Sequence, residues 1–205
     1  MCPPTCILLE LTTHCDQRCP NCCCGIGINR ELRHHPWEYF ERAAAVLYGV
    51  ERVHLTGGEP TLHPRFAEFL PRLKALFGCH RLTLGTDGYG VERHRELIAR
   101  HIDEVHFSDY HARPGAHEAL VQIGVALSVY DGGVKGANHV SRDRRGAGGP
   151  CGRAHGDCVP YADGKLYGCC VAPGIGGAEG LAPGSGWREQ VRTLPLPCGD
   201  CWFSP

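Results

Sequence analysis

The chain carries almost no net charge: 21 Lys and Arg stand against 22 Asp and Glu, leaving −1 with His neutral. It also lacks a long basic run, so a surface that neutralises a phosphate backbone is not indicated and no nucleic acid is expected as a partner. No apolar stretch approaches the length of a membrane span, so no membrane is expected either. The opening Met1-Cys-Pro-Pro-Thr-Cys6 has no basic segment, and Glu10 interrupts the early apolar run, which argues against a secretory signal. The expected location is therefore the cytoplasm. There, 14 cysteines are better explained by metal than by disulfides.

The 205 residues are 42% hydrophobic, enough for one compact domain or one domain with a small appendage. Residues 1–130 alternate short apolar runs with helical spacing. Strands are expected at Ile7–Leu11, Arg52–Leu55, Arg81–Leu84, Glu104–Phe107 and Ile123–Val129. Helices are expected at Pro36–Tyr48, His63–Phe77 and Val91–Arg100, with a single turn at Ala116–Leu120. Strands alternating with helices imply parallel βα units, and about five units are too few to close an eight-stranded barrel. The expected fold is α/β: a partial, open parallel β/α barrel with its site at the carboxyl ends of the strands. Residues 131–150 turn Gly- and Arg-rich and read as a linker or active-site loop. Residues 151–205 read as a small cysteine-rich extension, with a hairpin signalled by Asp163-Gly164 inside Val159–Tyr167. The 13 His are mostly placed among Arg and Glu, and His34, His35, His94 and His101 read as solvated surface residues.

The organising stretch is Glu10-Leu-Thr-Thr-His-Cys-Asp-Gln-Arg-Cys-Pro-Asn-Cys22. Cys15, Cys19 and Cys22 are spaced C-x3-C-x2-C directly after the first strand. Iron–sulfur clusters are normally held by four cysteines, so a set of three leaves one iron open for another ligand. A structural zinc site would need paired C-x2-C units, with the second pair far downstream. A disulfide framework is the other reading, since cysteine is abundant and even in number. After the second strand comes Thr56-Gly-Gly-Glu-Pro60, where two glycines permit close backbone approach to a ligand and a carboxylate can face an ammonium group. Read blandly, it is a βα turn.

The three-cysteine loop followed one βα unit later by GGEP resembles the radical S-adenosylmethionine (SAM) superfamily. The resemblance implies a [4Fe–4S] cluster on Cys15, Cys19 and Cys22, with SAM chelating the open iron. It implies that Gly57 and Gly58 offer backbone carbonyls to the SAM amino group, with Glu59 and Pro60 completing the motif. Asn21 stands where the family often has an aromatic residue near the adenine, so only its backbone is expected to serve there. Gly85-Thr-Asp-Gly88 resembles the Thr-Asn-Gly common at the third strand. Ser108 and Asp109, at the end of the fourth, resemble contacts to the SAM carboxylate and ribose; helix capping or an Asx turn is the rival reading for each. Ser128 and Tyr130 are placed to face the same cavity.

Cys151, followed by twelve residues, Gly164, four residues and Cys169, and then the closing Cys198-Gly-Asp-Cys201, resembles the short “twitch” extension, a reduced form of the seven-cysteine SPASM domain. It implies a second, auxiliary [4Fe–4S] cluster on Cys151, Cys169, Cys198 and Cys201, with Cys158 and Cys170 as near-register competitors. Zinc would accept the same set. Cys23 and Cys24 are unassigned.

Together these resemblances imply reductive cleavage of SAM and hydrogen-atom abstraction from a peptide or small-molecule substrate, with oxidation or cross-linking aided by the auxiliary cluster. The implied partners are a reductant such as flavodoxin or ferredoxin and a peptide-recognition partner chain. The alternatives are a small-metabolite dehydrogenase or epimerase and, in another class, a non-catalytic iron–sulfur or zinc protein.

Overall fold

The computed structural model describes residues 5–17, 22, 24, 26, 30–109, 113–131, 158–169, 172–174 and 178–195. The elements run β1 (Cys6–Thr12), α1 (Trp37–Leu47), β2 (Arg52–Gly57), α2 (Phe66–Phe77), β3 (Arg81–Thr86), α3 (Arg95–His101), β4 (Glu104–Asp109), α4 (Ala116–Ile123), β5 (Ala126–Asp131), β6 (Cys158–Ala162) and β7 (Lys165–Leu166). They build one seven-stranded sheet in the order β5-β4-β3-β2-β1-β6-β7. Every neighbouring pair is parallel except β6–β7. Among the described residues β5 and β7 are its edges, so the sheet is not closed. The open α/β architecture expected from the strand–helix alternation is what the chain adopts.

The two faces of the sheet have opposite chemistry. Ile7, Leu9 and Leu11 of β1, Val53 and Leu55 of β2, Leu82 and Leu84 of β3, and Val105 and Phe107 of β4 point to one side and are all buried. Helix α1 covers them with Trp37, Phe40, Ala43, Ala44 and Leu47, and α2 with Phe66, Phe69, Leu70, Leu73 and Phe77. That is helical spacing on both elements, and each large side chain buried there contributes roughly 1.5–3 kcal/mol. The pleat sends the alternate residues to the other face, and apart from Cys6, Leu8, Gly85 and Ala126 these are polar, among them Glu10, His54 and Thr56, Thr83, His106 and Ser108, and Ser128. His54 Nδ1 lies 2.8 Å from Thr83 Oγ1, and its ring meets that of His106 at 4.9 Å between centroids.

Helix boundaries depart from the sequence expectation where side chains tie the backbone. α2 begins at Phe66 rather than His63. The His63 ring donates from Nε2 to the His35 carbonyl (2.9 Å) and accepts the Arg65 amide at Nδ1 (3.1 Å), holding this stretch as a turn. α3 begins at Arg95 because the preceding loop is drawn to the β2 turn, the Gly90 amide donating to Thr61 Oγ1 at 3.0 Å. α4 has eight residues where one turn was expected.

The expected hairpin is present, with Asp163 and Gly164 at φ 50° and 78°, the signature of a two-residue type I′ loop. Its first strand, however, also pairs parallel with β1, from Cys6↔Cys158 to Leu9↔Tyr161. Val159, Tyr161 and Leu166 enter the main core. The hairpin thus continues the sheet on the far side of β1. One register pair, Cys6 and Cys158, is joined as a disulfide with its Cα atoms 4.4 Å apart. For these two residues the expectation of metal over disulfide does not hold, because the β1–β6 register brings the thiols side by side.

Candidate functional site

At the carboxyl end of β1 the cysteine loop leaves and returns through one knot. Thr12 and Thr13 are fully buried. Thr12 Oγ1 donates to the Arg33 carbonyl (2.9 Å) and Thr13 Oγ1 to that of Glu31 (2.6 Å), while the Thr13 amide also donates to Arg33 (2.9 Å). A buried ion cluster closes the knot from below. Arg30 makes a bidentate pair with Glu10, and its Nη2 also reaches Asp163 of the hairpin turn at 2.7 Å. The second Glu10 contact is His35, whose Nε2 lies 2.9 Å away and whose ring stacks on Tyr39 at 3.9 Å. His35 is therefore buried, not solvated as its Arg-rich surroundings led one to expect, and so is His94, packed on Phe66. The carboxylate of Glu10 inside an apolar strand was the sequence signal for a buried partner.

The end of β2 is locked against this loop by backbone contact. The Gly58 amide donates to the Thr12 carbonyl (2.7 Å) and the Glu59 amide to that of His14 (2.9 Å). A Cβ on Gly57 would lie 2.2 Å from the Thr12 oxygen, and one on Gly58 2.0 Å from the His14 oxygen. Gly57 in addition has φ +125°, a region closed to side chains with a Cβ. The two glycines are thus demanded first by the approach of one loop to the other.

Glu59 is 1% exposed and fully engaged. It accepts from the Thr61 amide (3.0 Å) and hydroxyl (2.6 Å), from Thr86 Oγ1 (2.9 and 3.0 Å) and from the Asp87 amide (2.8 Å). Its carboxylate thereby ties the ends of β2 and β3 together. Burial and the neighbouring Asp87 push its pKa up to about 8, against hydrogen bonds from Thr61 and Asp87 that favour the ionised form. Pro60 opens the 3₁₀ turn Pro60–Leu62, which the Glu59 side chain caps.

Cys15 sits half-buried beside this knot. Its thiol, Asp16 and Asp87 offer ligand atoms all within 4.8 Å of one another. Burial is the main cause that raises the Cys15 thiol to about 12, with Asp87, Asp16 and Glu59 adding to it. Arg113, in the loop after β4, bridges Asp16 and Asp87 and lies 5.2 Å over the Tyr89 ring. The sequence reading missed Asp16, Asp87 and Arg113 as a group. Asp16 and Asp87 lie inside motifs that were recognised, whereas nothing in the sequence marks Arg113.

Of the other expected site residues, Cys22 is half-buried, and Ser108 and Asp109 are the half-buried last residues of β4. The pleat places Ser108 on the polar face with Thr56, and Asp109 pairs in register with Asp131 of β5. Ser128 Oγ donates to Glu104 Oε1 (3.1 Å) on the polar face. Cys169 is buried just beyond β7, and Cys158 is engaged with Cys6. Cys19, Asn21, Cys23, Cys151, Cys170, Cys198 and Cys201, and the Tyr130 side chain, lie outside the described residues. No described helix is long and apolar enough to cross a membrane.

Comparison with known proteins agrees with this geometry. Residues 9–114 match the family model described as the Radical SAM superfamily. A GTP 3′,8-cyclase of Heliobacterium modesticaldum is 32% identical over 131 residues, covering 60% of this chain and 39% of the cyclase. A PqqA peptide cyclase of Streptomyces rochei is 31% identical over 120 residues, covering 57% of this chain and 33% of that enzyme. The match thus spans between a third and two fifths of either relative. The crystal structure of BtrN in complex with AdoMet and 2-DOIA superposes with a TM-score of 0.57 at 14% identity, over 82% of this chain and 73% of BtrN. The match of that family model to just over half of the chain, across the cysteine loop, the GGEP turn and the strand ends around them, makes this chain a member of the radical SAM superfamily, whose cofactors are a [4Fe–4S] cluster and SAM.

Proposed function

We propose that this chain is a radical SAM enzyme that acts on a peptide or small-molecule substrate and oxidises or cross-links it with help from an auxiliary [4Fe–4S] cluster. The observation that carries the reading is the direct backbone lock between the cysteine loop and the GGEP turn. The donor set fits the family's cofactors. Cys15 and Cys22 are thiols on a loop pinned at both ends, and Asp16 and Asp87 offer carboxylates beside Cys15 to a ligand that carries sulfonium and ammonium charge. Bound there, cluster and SAM supply reductive cleavage of the sulfonium to methionine and a 5′-deoxyadenosyl radical able to take a hydrogen atom from substrate.

The chain's own residues hold and orient. Cys15, Cys19 and Cys22 are the cluster ligands, and loading must release the proton that burial keeps on Cys15. The carbonyls of Gly57 and Gly58 receive the SAM ammonium. Glu59 supports them by fixing the turn through Thr61 and Thr86 rather than by reaching the ligand itself. Ser108 faces the SAM side of the sheet. The auxiliary cluster is assigned to Cys151, Cys169, Cys198 and Cys201, and the engagement of Cys158 with Cys6 favours that set over one with Cys158, with Cys170 the remaining competitor. Flavodoxin or ferredoxin is the reductant class. The PqqA peptide cyclase relative favours a peptide substrate, and the GTP cyclase relative a small molecule.

The test is anaerobic reconstitution with iron and sulfide counting, paired with SAM cleavage under dithionite. About eight irons are expected, with 5′-deoxyadenosine formed, and Glu59→Gln should lower cleavage at least tenfold because an amide cannot accept from both the Thr61 and Asp87 donors. About four irons with cleavage would remove the auxiliary cluster. Zinc in place of iron, without cleavage, would overturn the enzyme reading.

A further inference from the structure

Cys6 and Cys158 are 152 residues apart and stand at the amino-terminal ends of β1 and β6. That is the opposite end of β1 from the cysteine loop, so nothing in the proposed chemistry uses this disulfide. Its two sulfurs differ in surroundings. Cys6 is 1% exposed, whereas Cys158 is only half-buried. Arg52, the β2 register partner of Cys6, reaches across with Nη2 3.4 Å from the Cys158 sulfur. A permanently charged guanidinium therefore sits beside the one sulfur that an incoming group can reach.

We propose that Cys6–Cys158 is a reversible thiol–disulfide site, opened by a dithiol that attacks the Cys158 sulfur, with Arg52 drawing the anionic attacker in. A thiolate of the dithiol bonds to Cys158, the Cys6–Cys158 bond breaks, and Cys6 leaves with the pair's electrons and takes a proton. The second thiol of the reductant then attacks its own sulfur in the mixed disulfide and releases Cys158, whose charge Arg52 offsets until it is protonated. Two electrons and two protons pass to the pair, and the reductant departs as its own disulfide. β6 leads from this bond into the turn whose Asp163 pairs with Arg30 and Arg33 at the return of the cysteine loop.

Differential alkylation of the folded chain tests this. Protein isolated in air is treated with dithiothreitol, labelled with light iodoacetamide, unfolded, fully reduced, labelled with heavy reagent and peptide-mapped at Cys6 and Cys158. A cross-linked peptide before treatment, and afterwards light label on Cys158 with heavy label on the buried Cys6, the protein still folded, is the expected result. Arg52→Gln should slow opening several-fold and Arg52→Lys should restore most of the rate. The proposal is overturned if no cross-linked peptide exists or if the bond opens only on unfolding. It is equally overturned if a chelator rather than a dithiol releases the two thiols, which would make them metal ligands. An opening rate unchanged in Arg52→Gln would remove the role of Arg52. The map reads two named residues and needs no loaded cluster, so its outcome is independent of SAM cleavage.

Discussion

Gly58→Ala is the sharpest perturbation of the lock between the two motifs. The added Cβ would lie 2.0 Å from the His14 oxygen, 2.5 Å from its carbonyl carbon and 3.0 Å from the Cys15 nitrogen. An ordinary carbon–oxygen contact sits near about 3.3 Å, so one loop must retreat by roughly 1.3 Å. All three obstructing atoms are backbone, and no side-chain rotation relieves them. A retreat of that size breaks the Glu59 amide bond to His14 and strains that of Gly58 to Thr12, 2.9 and 2.7 Å long in the native chain. Leaving one or two buried backbone groups unpaired costs about 2–5 kcal/mol, which for a chain of this size lowers the thermal midpoint by roughly 5–15 °C. Gly184→Ala is the matched control, since a Cβ there meets nothing within 4 Å, and its effect should stay within about 0.5 kcal/mol. Thermal unfolding of the metal-free chain reads the first quantity, and iron content after anaerobic reconstitution reads whether Cys15 is still in place. A Gly58→Ala chain that melts with the native protein and loads iron fully would refute the close-approach argument.

Three further perturbations probe the frame around the lock. Arg30→Gln leaves Glu10 and Asp163 without their shared cation, and because the Arg30 and Glu10 side chains are only 6% and 4% exposed the cost should be about 3–5 kcal/mol in urea unfolding; a loss below about 1 kcal/mol would show the pair to be solvated. Thr86→Val removes the hydroxyl that donates to both Glu59 oxygens and accepts the Gly88 amide, with an expected loss of about 1–3 kcal/mol and no change in helix content by circular dichroism. Burial, chiefly, holds the His54 pKa down at about 3 and that of His63 at about 4. Depressed base pKa values mean that the folded chain binds fewer protons than the unfolded one below about pH 6.5, so stability is full above that value and is lost as pH falls, by about 2 kcal/mol per group at pH 5. His54→Asn should remove its share of that slope, and a urea midpoint equal at pH 8 and pH 5 would contradict both assignments.

The fold was legible because its period is: β1 to β5 and the apolar spacing of α1 and α2 can be read from side-chain pattern alone. What pattern could not supply was pairing between distant segments. That β6 joins β1 rests on apolar Val159 and Tyr161 finding the same core as Ile7 and Leu9, and no local signal records which edge a strand will take. The same limit applies to Cys6 and Cys158, which only the register brings together. At the site, the spacing of Cys15, Cys19 and Cys22 and the GGEP turn were visible as motifs. The reason for the two glycines was not, because it lies in the backbone of Thr12 and His14, at the end of β1 and in the loop after it. His35 was misjudged for a related reason: its neighbours in sequence are charged, while its neighbours in space are Glu10 and Tyr39.

Electrostatic division of labour at the strand ends follows from these contacts. Glu59 has both carboxyl oxygens engaged by Thr61, Thr86 and Asp87, so it is not aimed at a ligand. The carboxylates that face Cys15 more openly are Asp16 and Asp87, and Arg113 pairs with both. A positively charged ligand entering beside Cys15 therefore competes with Arg113 for the same two carboxylates. Arg113 is itself partly exposed and rests over the Tyr89 ring. A zwitterionic ligand satisfies both partners of the broken pair at once, whereas a simple cation leaves Arg113 unmatched.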